Sequence, residues 1–168
     1  MNDEPFDPLR AIAALQDYGV RFILIGGLAA SIRGSPVITG DTDLCYARDD
    51  RNLEALAAAL KALGAKLRGV PDDVPVQLDA RSLKNGDHFT FRTSAGPLDC
   101  LGTPAGTGGF RDLDAAATDE DLNGLSVRVA GLEDLIRMKQ AAGREKDRIG
   151  LQWLGALRDE ISRRGEQS

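Results

Sequence analysis

The most informative segment of the chain begins with Ile25-Gly26-Gly27 and ends, after thirteen intervening residues, with Asp41-Thr42-Asp43-Leu44. The apolar run Val20 to Ile25 predicts a buried strand. The two glycines permit a tight turn, and Leu28 to Arg33 predicts a short helix directly after it. A strand that passes through glycines into a helix brings backbone N–H groups to one point, where they can bind an anion such as a phosphate.

The two aspartates of this stretch lie on a second predicted strand, Asp41 to Ala47. Side chains alternate along a strand, so Asp41 and Asp43 are expected on the same face. Mg²⁺ in proteins is typically bound by one or two carboxylates together with substrate phosphates. An Asp-x-Asp pair alone is a weak signal, because exposed strand ends often carry acids. Joined to the glycine turn, the pair predicts a site for a metal-bound nucleoside triphosphate.

A third candidate acid, Asp99, lies in the apolar run Pro97 to Leu101, where an unpaired charge would be costly. This run is predicted to form a hairpin with the alternating strand His88 to Thr93. If it also lies beside the strand of Asp41 and Asp43, the three carboxylates form a metal-binding triad, with Asp99 as the general base. The alternative is a hairpin acid that faces solvent.

The first motif, Ile25-Gly26-Gly27 through Gly34 to Thr39-Gly40-Asp41-Thr42-Asp43-Leu44, resembles that of minimal nucleotidyltransferases of the DNA polymerase beta-like superfamily. The most similar branches are the AbiEii/MenT-like toxins and the aminoglycoside or lincosamide nucleotidyltransferases. A later run, Leu135 to Asp147, is similar to a segment in which a helical lysine is followed by a basic residue and an acid. The resemblance covers residues 20 to 155, although only short motifs within it are specific.

The resemblance implies roles for individual positions. Gly26 and Gly27 would flank the triphosphate, and Lys139 would reach the nucleotide phosphates, with Asp147 as the acid that follows. From the residues alone, a helical lysine is as readily a solvated surface group. The catalytic and metal-binding residues implied are Asp41, Asp43 and Asp99, with one or two Mg²⁺ ions, for which Mn²⁺ can substitute.

The chain departs from the family pattern at two positions. Many relatives have a serine where this chain has Gly27, so a hydroxyl contact to phosphate is missing. Toxin-type relatives often have an arginine where this chain has Val37. We expect Arg33 to supply that nucleotide contact instead.

The expected fold is α/β, or α+β in stricter naming, with a mixed, largely antiparallel sheet of about five strands flanked by helices. A nucleotidyltransferase core is expected over residues 1–130, with a C-terminal helical pair packed on it over 131–168. Trp153, on the apolar face of the last helix, is expected in the core. A further strand is expected at Val76 to Leu78, whereas Gly102 to Asn123 gives no clear pattern.

Composition excludes several kinds of site. A single histidine, and two cysteines outside any Cys-x-x-Cys pair, exclude the usual zinc sites. Cys45 and Cys100 are expected to be buried, reduced and on opposite faces of the sheet. The net charge of -5 argues against a broad surface for nucleic acid. No apolar run is long enough for a signal peptide or a membrane span, so a cytoplasmic location is expected.

The predicted activity is transfer of a nucleoside monophosphate from an NTP to an acceptor. The acceptor is either RNA such as tRNA, as in the toxin relatives, where a neutralising protein partner is also implied, or a small hydroxylated molecule. Only Lys139 to Arg148 offers a cationic track for tRNA, whereas the acidic chain favours a cationic small molecule. The alternative is a catalytically weak or inactive nucleotide-binding or partner-binding module with the same fold.

Overall fold

The computed structural model describes residues 5–166 of the chain. The acidic start Met1 to Glu4, on which the expectation about signal peptides partly depends, lies outside the described residues. The strands are β1 (Phe22–Ile25), β2 (Thr42–Tyr46), β3 (Lys66–Leu67), β4 (His88–Thr93), β5 (Gly96–Leu101), β6 (Thr118–Leu122) and β7 (Leu125–Val129). The α-helices are α1 (Pro8–Asp17), α2 (Gly26–Ile32), α3 (Asp50–Ala62), α4 (Ala80–Asn85), α5 (Phe110–Asp114), α6 (Leu132–Ala142) and α7 (Arg148–Glu166).

All seven strands form one sheet in the order β3-β4-β5-β2-β1-β7-β6. The β2–β5 and β1–β7 pairs are parallel, and the other pairs of neighbouring strands are antiparallel. The mixed, largely antiparallel sheet is therefore confirmed, with seven strands in the described part of the chain rather than five. None of the helices described there is both long and apolar enough to cross a bilayer.

One face of the sheet is largely buried, and the other is partly open. On the buried face Leu24 pairs with Leu44 across β1 and β2, Leu98 pairs with Phe91 across β5 and β4, and each of these four residues is 0% exposed. Burial of each such side chain contributes about 1.5 to 3 kcal/mol. Asp43, one residue before Leu44, pairs with Asp99, one residue after Leu98, on the opposite face, where both are only partly buried. The core therefore fixes the strands that carry the candidate acids.

The segment without a clear sequence pattern contains α5 and β6. Strand β6 carries three acids, which are rare in strands, but Asn123-Gly124 turns it back onto β7 with positive φ at both residues. The expected strand at Val76 to Leu78 is wrong, because this stretch has no regular structure. Helix α4 follows it, and Asp79 caps that helix by accepting from Ser82 N at 2.8 Å.

The predicted C-terminal helical pair is confirmed as α6 and α7, joined by a 3-10 turn at Glu145–Asp147. The expectation that Trp153 is a core residue is wrong. Trp153 is 49% exposed, and Ile149 and Ile161 of the same helix are 63% and 54% exposed, whereas Leu154 is 0% exposed. Helix α7 lies at the surface and buries only a narrow stripe, so most of its apolar arc faces solvent.

Candidate active site

Three carboxylates meet at the partly open face of the sheet. Asp41 immediately precedes β2, Asp43 lies within β2, and Asp99 is the register partner of Asp43 on the parallel strand β5. One ligand oxygen from each of the three lies within 4.8 Å of the others, and no other such cluster of three was found among residues 5–166. The predicted pairing of the Asp99 strand with the strand of Asp41 and Asp43 is thus confirmed.

The chemistry of this donor set fits a hard divalent cation. All three ligands are carboxylate oxygens, which suit Mg²⁺ or Mn²⁺ better than the soft or nitrogen-preferring metals. Burial, followed by the charges of Asp41 and Asp99, raises the pKa of Asp43 from 3.8 to about 8, whereas the charge of Arg144 opposes the shift. Three mutually repelling carboxylates need a counter-charge, and a bound cation supplies it.

The glycine turn lies directly against the triad. A Cβ atom on Gly26, which has φ +69, would overlap the carboxylate of Asp43. A Cβ atom on Gly27 would lie 2.7 Å from Thr39 Oγ1, and that hydroxyl donates to Asp41 Oδ1 at 3.1 Å. The absence of a serine at position 27 has a physical reason here, since Thr39 occupies the space. A hydroxyl is thus present beside the turn, but it comes from another residue.

A cationic cluster forms where α6 passes into α7. Asp147, with a side chain 6% exposed, accepts from Arg144 Nε at 2.7 Å and from Lys139 Nζ at 3.4 Å. Burial acts to raise the pKa of Asp147, but the hydrogen bond from Arg144 and the charge of Lys139 outweigh it, so the pKa lies below its ordinary value. Because the Arg144 charge also acts on Asp43, this cluster lies within electrostatic reach of the triad.

The structure places Arg33 away from these groups. Its guanidinium donates to Ala130 O, Val129 O, Glu120 Oε1 and Thr118 Oγ1, at 2.8 to 3.1 Å. These partners belong to β6, β7 and the residue that follows β7, so the contacts tie the end of α2 to that edge of the sheet. None of them is a residue of the triad or the glycine turn.

Sequence reasoning missed Arg68, whose Nη2 donates to Asp99 Oδ1. It also gave no role to Thr39, although the quoted motif contains it, nor to Arg144. The Thr39 contact could have been suspected from its position two residues before Asp41. The Arg68 contact could not, because it depends on the pairing register of β3, a two-residue strand.

No family model matches the sequence, and no curated protein is similar to it. Several solved structures do match the fold. The lincosamide antibiotic adenylyltransferase LnuA, bound to lincomycin, has a TM-score of 0.61 and 12% identity, over 89% of this chain and 95% of that one. ANT(2")-Ia in complex with adenylyl-2"-tobramycin has a TM-score of 0.57 and 17% identity, over 94% and 95%.

A candidate nucleotidyltransferase, TM1012 from Thermotoga maritima, gives a TM-score of 0.56 and 17% identity, over 89% of this chain and 93% of that one. Identities this low establish a shared fold and nothing finer. The chain therefore has the nucleotidyltransferase fold that the sequence motifs predict, and its acidic triad lies on that fold.

Proposed function

We propose that the protein is a Mg²⁺-dependent nucleotidyltransferase that moves a nucleoside monophosphate from an NTP to an acceptor hydroxyl and releases pyrophosphate. The observation that carries the proposal is the convergence of Asp41, Asp43 and Asp99 on one face of the sheet. When bound there, the metal would neutralise charge on the phosphates and favour the in-line displacement. Mn²⁺ is expected to substitute for Mg²⁺.

The three acids would have different roles in the reaction. Asp41 and Asp43 would hold the metal, and Asp99 would accept the proton of the acceptor hydroxyl as its oxygen attacks the α-phosphorus. The bond between the α-phosphorus and the bridging oxygen then breaks, and pyrophosphate leaves with that oxygen. We assign the base role to Asp99 because it lies on the neighbouring strand β5, apart from the Asp41 and Asp43 pair.

The nucleotide would be held by groups on two sides of the triad. Backbone N–H groups at Gly26 and Gly27 would bind triphosphate oxygens, since both residues lie in the first turn of α2, where N–H groups have no acceptor within the helix. Lys139 and Arg144 would supply positive charge from the α6–α7 junction, with Asp147 holding both in place. Arg33 has no part in this proposal, because its donors are committed to the β6–β7 edge.

The acceptor we propose is a small hydroxylated molecule. LnuA and ANT(2")-Ia, which have this fold, are solved with such antibiotics or their adenylylated product, and the net charge of -5 disfavours a broad RNA contact. RNA such as tRNA is the competing acceptor. Its binding would weaken steeply with salt, whereas transfer to a small molecule would not. The two buried free thiols suit a reducing compartment, so we place the reaction in the cytoplasm.

The test is a transfer assay with each α-labelled NTP, Mg²⁺, and either total RNA or a panel of small hydroxylated acceptors. Asp41→Ala and Asp43→Ala should each lower the rate by at least about 10³-fold while the thermal melt stays cooperative. Asp159→Ala, which removes an acid 72% exposed on α7, is the matched control and should leave the rate unchanged. Normal transfer by both triad variants would refute the mechanism. NTP binding without pyrophosphate release in any arm would indicate a non-catalytic binding module instead.

A further inference from the structure

Arg68 lies in the same row of the sheet as the triad acids. It follows β3 directly, and its backbone N–H extends the ladder by donating to Thr90 O at 2.9 Å. Thr90 is the register partner of Asp99, which in turn pairs with Asp43. Residues directly opposite one another on neighbouring strands project from the same face. The register therefore directs the Arg68 side chain to the face of the triad.

The guanidinium of Arg68 contacts the third acid directly. Its Nη2 donates to Asp99 Oδ1, and the two side chains are 35% and 16% exposed, so the pair is better shielded from water than a typical surface ion pair. The Nε of Arg68 is buried without a hydrogen-bond partner among residues 5–166. An unpaired buried donor is costly. The hydrogen bond to Asp99 is the polar contact that holds this guanidinium at the triad.

Two physical consequences follow from this contact. One oxygen of Asp99 is occupied by a planar donor, which fixes the direction of the carboxylate and leaves its other oxygen for reactants. A permanent positive charge also lies beside the acids, where it offsets their mutual repulsion and opposes the approach of another cation. Removing the arginine would strengthen cation binding and would also leave the Asp99 carboxylate, the proposed base, without a fixed orientation.

We propose that Arg68 is a positioning residue for the transfer reaction. It aims Asp99 at the acceptor hydroxyl and serves as the resident counter-ion of the triad before metal and nucleotide bind. This role rests on the proposed nucleotidyltransferase function. When the arginine is lost, metal affinity should rise and turnover should fall. Loss of a purely structural arginine would not change the two in opposite directions.

The first measurement is binding of Mn²⁺ alone, without nucleotide, followed by electron paramagnetic resonance. Arg68→Gln keeps an amide donor but removes the charge, and it should bind Mn²⁺ about tenfold more tightly than the original protein. Arg68→Lys keeps the charge and should bind Mn²⁺ with nearly the original affinity. Equal or weaker Mn²⁺ binding by Arg68→Gln would overturn the counter-ion role.

The second measurement is steady-state transfer. Arg68→Gln and Arg68→Lys both lose the rigid, planar guanidinium whose Nη2 donates to Asp99, so kcat should fall by about 10²-fold, the usual contribution of a general base, while KM for the NTP changes little. Arg92→Gln is the matched control. Arg92 is a neighbouring exposed cation, paired with Asp72 rather than with the triad, and its loss should alter neither Mn²⁺ affinity nor kcat. An unchanged kcat in both Arg68 variants would overturn the positioning role.

The outcomes separate this inference from the proposed function. If the original protein transfers no nucleotide to any acceptor, the proposed function fails, and the Mn²⁺ measurement still decides whether Arg68 is the counter-ion of the triad. If the original protein is active, both measurements apply. Thermal melts are recorded for each variant, and should Arg68→Gln not fold, the kcat of Arg68→Lys against that of the original protein decides the positioning role.

Discussion

At the scale of single residues, Asp43 lies between the glycine turn and the other two acids. Gly26 packs on its carboxylate, and Asp99 is its partner on β5. Burial, followed by the charges of Asp41 and Asp99, raises its pKa to about 8, so the carboxyl is largely protonated at neutral pH when no metal is bound. Metal binding would displace this proton, and the affinity for metal should therefore rise with pH.

The same shift predicts how the stability of the metal-free protein depends on pH. A group whose pKa is raised on folding stabilises the fold fully below its unfolded pKa, here 3.8, and loses that contribution as pH rises through about 8. In the presence of a chelator, the free energy of unfolding should fall between pH 5 and pH 8. Asp43→Asn should remove much of this dependence on pH. At pH 8 its free energy of unfolding should exceed that of the unsubstituted protein by about 1 to 3 kcal/mol. Urea denaturation at both pH values measures the free energy of unfolding. The same change with pH in both proteins would contradict the raised pKa of Asp43.

Residue-level features differed in how far they could be predicted. Asp41 and Asp43 follow from alternation along one strand, and Asp99 follows from the cost of an unpaired acid in an apolar run. Arg68 could not be found, because its position depends on register between strands that are distant in sequence. Gly27 was interpreted as a lost hydroxyl, whereas Thr39 fills the space beside it. The acids of the triad were predictable, whereas the contact of Arg68 with Asp99 was not.

At the scale of elements, the junction of α2 with β6 and β7 depends on one side chain. Arg33 follows the last residue of α2 and donates to two main-chain carbonyls and two side chains of the sheet edge, with only 18% of its side chain exposed. Sequence analysis suggested Arg33 as a nucleotide contact in place of the arginine missing at Val37, and it did not predict the strand that carries Glu120, the ion-pair partner of Arg33. Acid-rich β6 carries no strand signal, and it forms through the Asn123-Gly124 turn and pairing with β7.

We expect Arg33→Ala to lower the free energy of unfolding by about 1 to 3 kcal/mol, because it leaves carbonyls and a carboxylate at this junction without their donor. KM for the NTP should not change. Chemical denaturation and steady-state kinetics measure the two quantities. Arg111→Ala, at an exposed arginine of α5, is the control for loss of charge alone. A marked rise in KM with unchanged stability would restore the sequence-based role of Arg33 as a nucleotide contact.

At the scale of the whole molecule, the C-terminal helix shows how tertiary packing selects one part of an amphipathic arc. The apolar residues of α7 span a wide arc, and sequence alone could not tell which part faces the core. Leu154 is 0% exposed, and Leu157 reaches Gly34, where an added Cβ would lie 3.5 Å from its Cδ atoms. Trp153 faces solvent instead. The proposed division between a core over 1–130 and a helical segment over 131–168 stays a prediction.

This packing predicts a contrast between adjacent residues. Leu154→Ala should lower the free energy of unfolding by about 2 to 5 kcal/mol, since it creates a cavity in the core. Trp153→Ala should cost less than about 1 kcal/mol, although it removes the larger side chain, because half of that side chain is already in water. Urea denaturation of both variants measures the difference. A larger loss for Trp153→Ala would mean that α7 packs on its other face.

The parallel pairing of β2 with β5 also has a consequence for the order of folding. Asp43 and Asp99 are 56 positions apart in the chain, and parallel strands cannot be joined by a hairpin. Helix α3, the β3 segment, α4 and β4 must be accommodated within that closed loop, and the entropy of closing it opposes early assembly. A chain still emerging from the ribosome, or one that is only locally folded, therefore holds two acids of the triad without the third. Chemical competence would arrive only when β2 and β5 pair, as a property of this long-range contact rather than of any one motif.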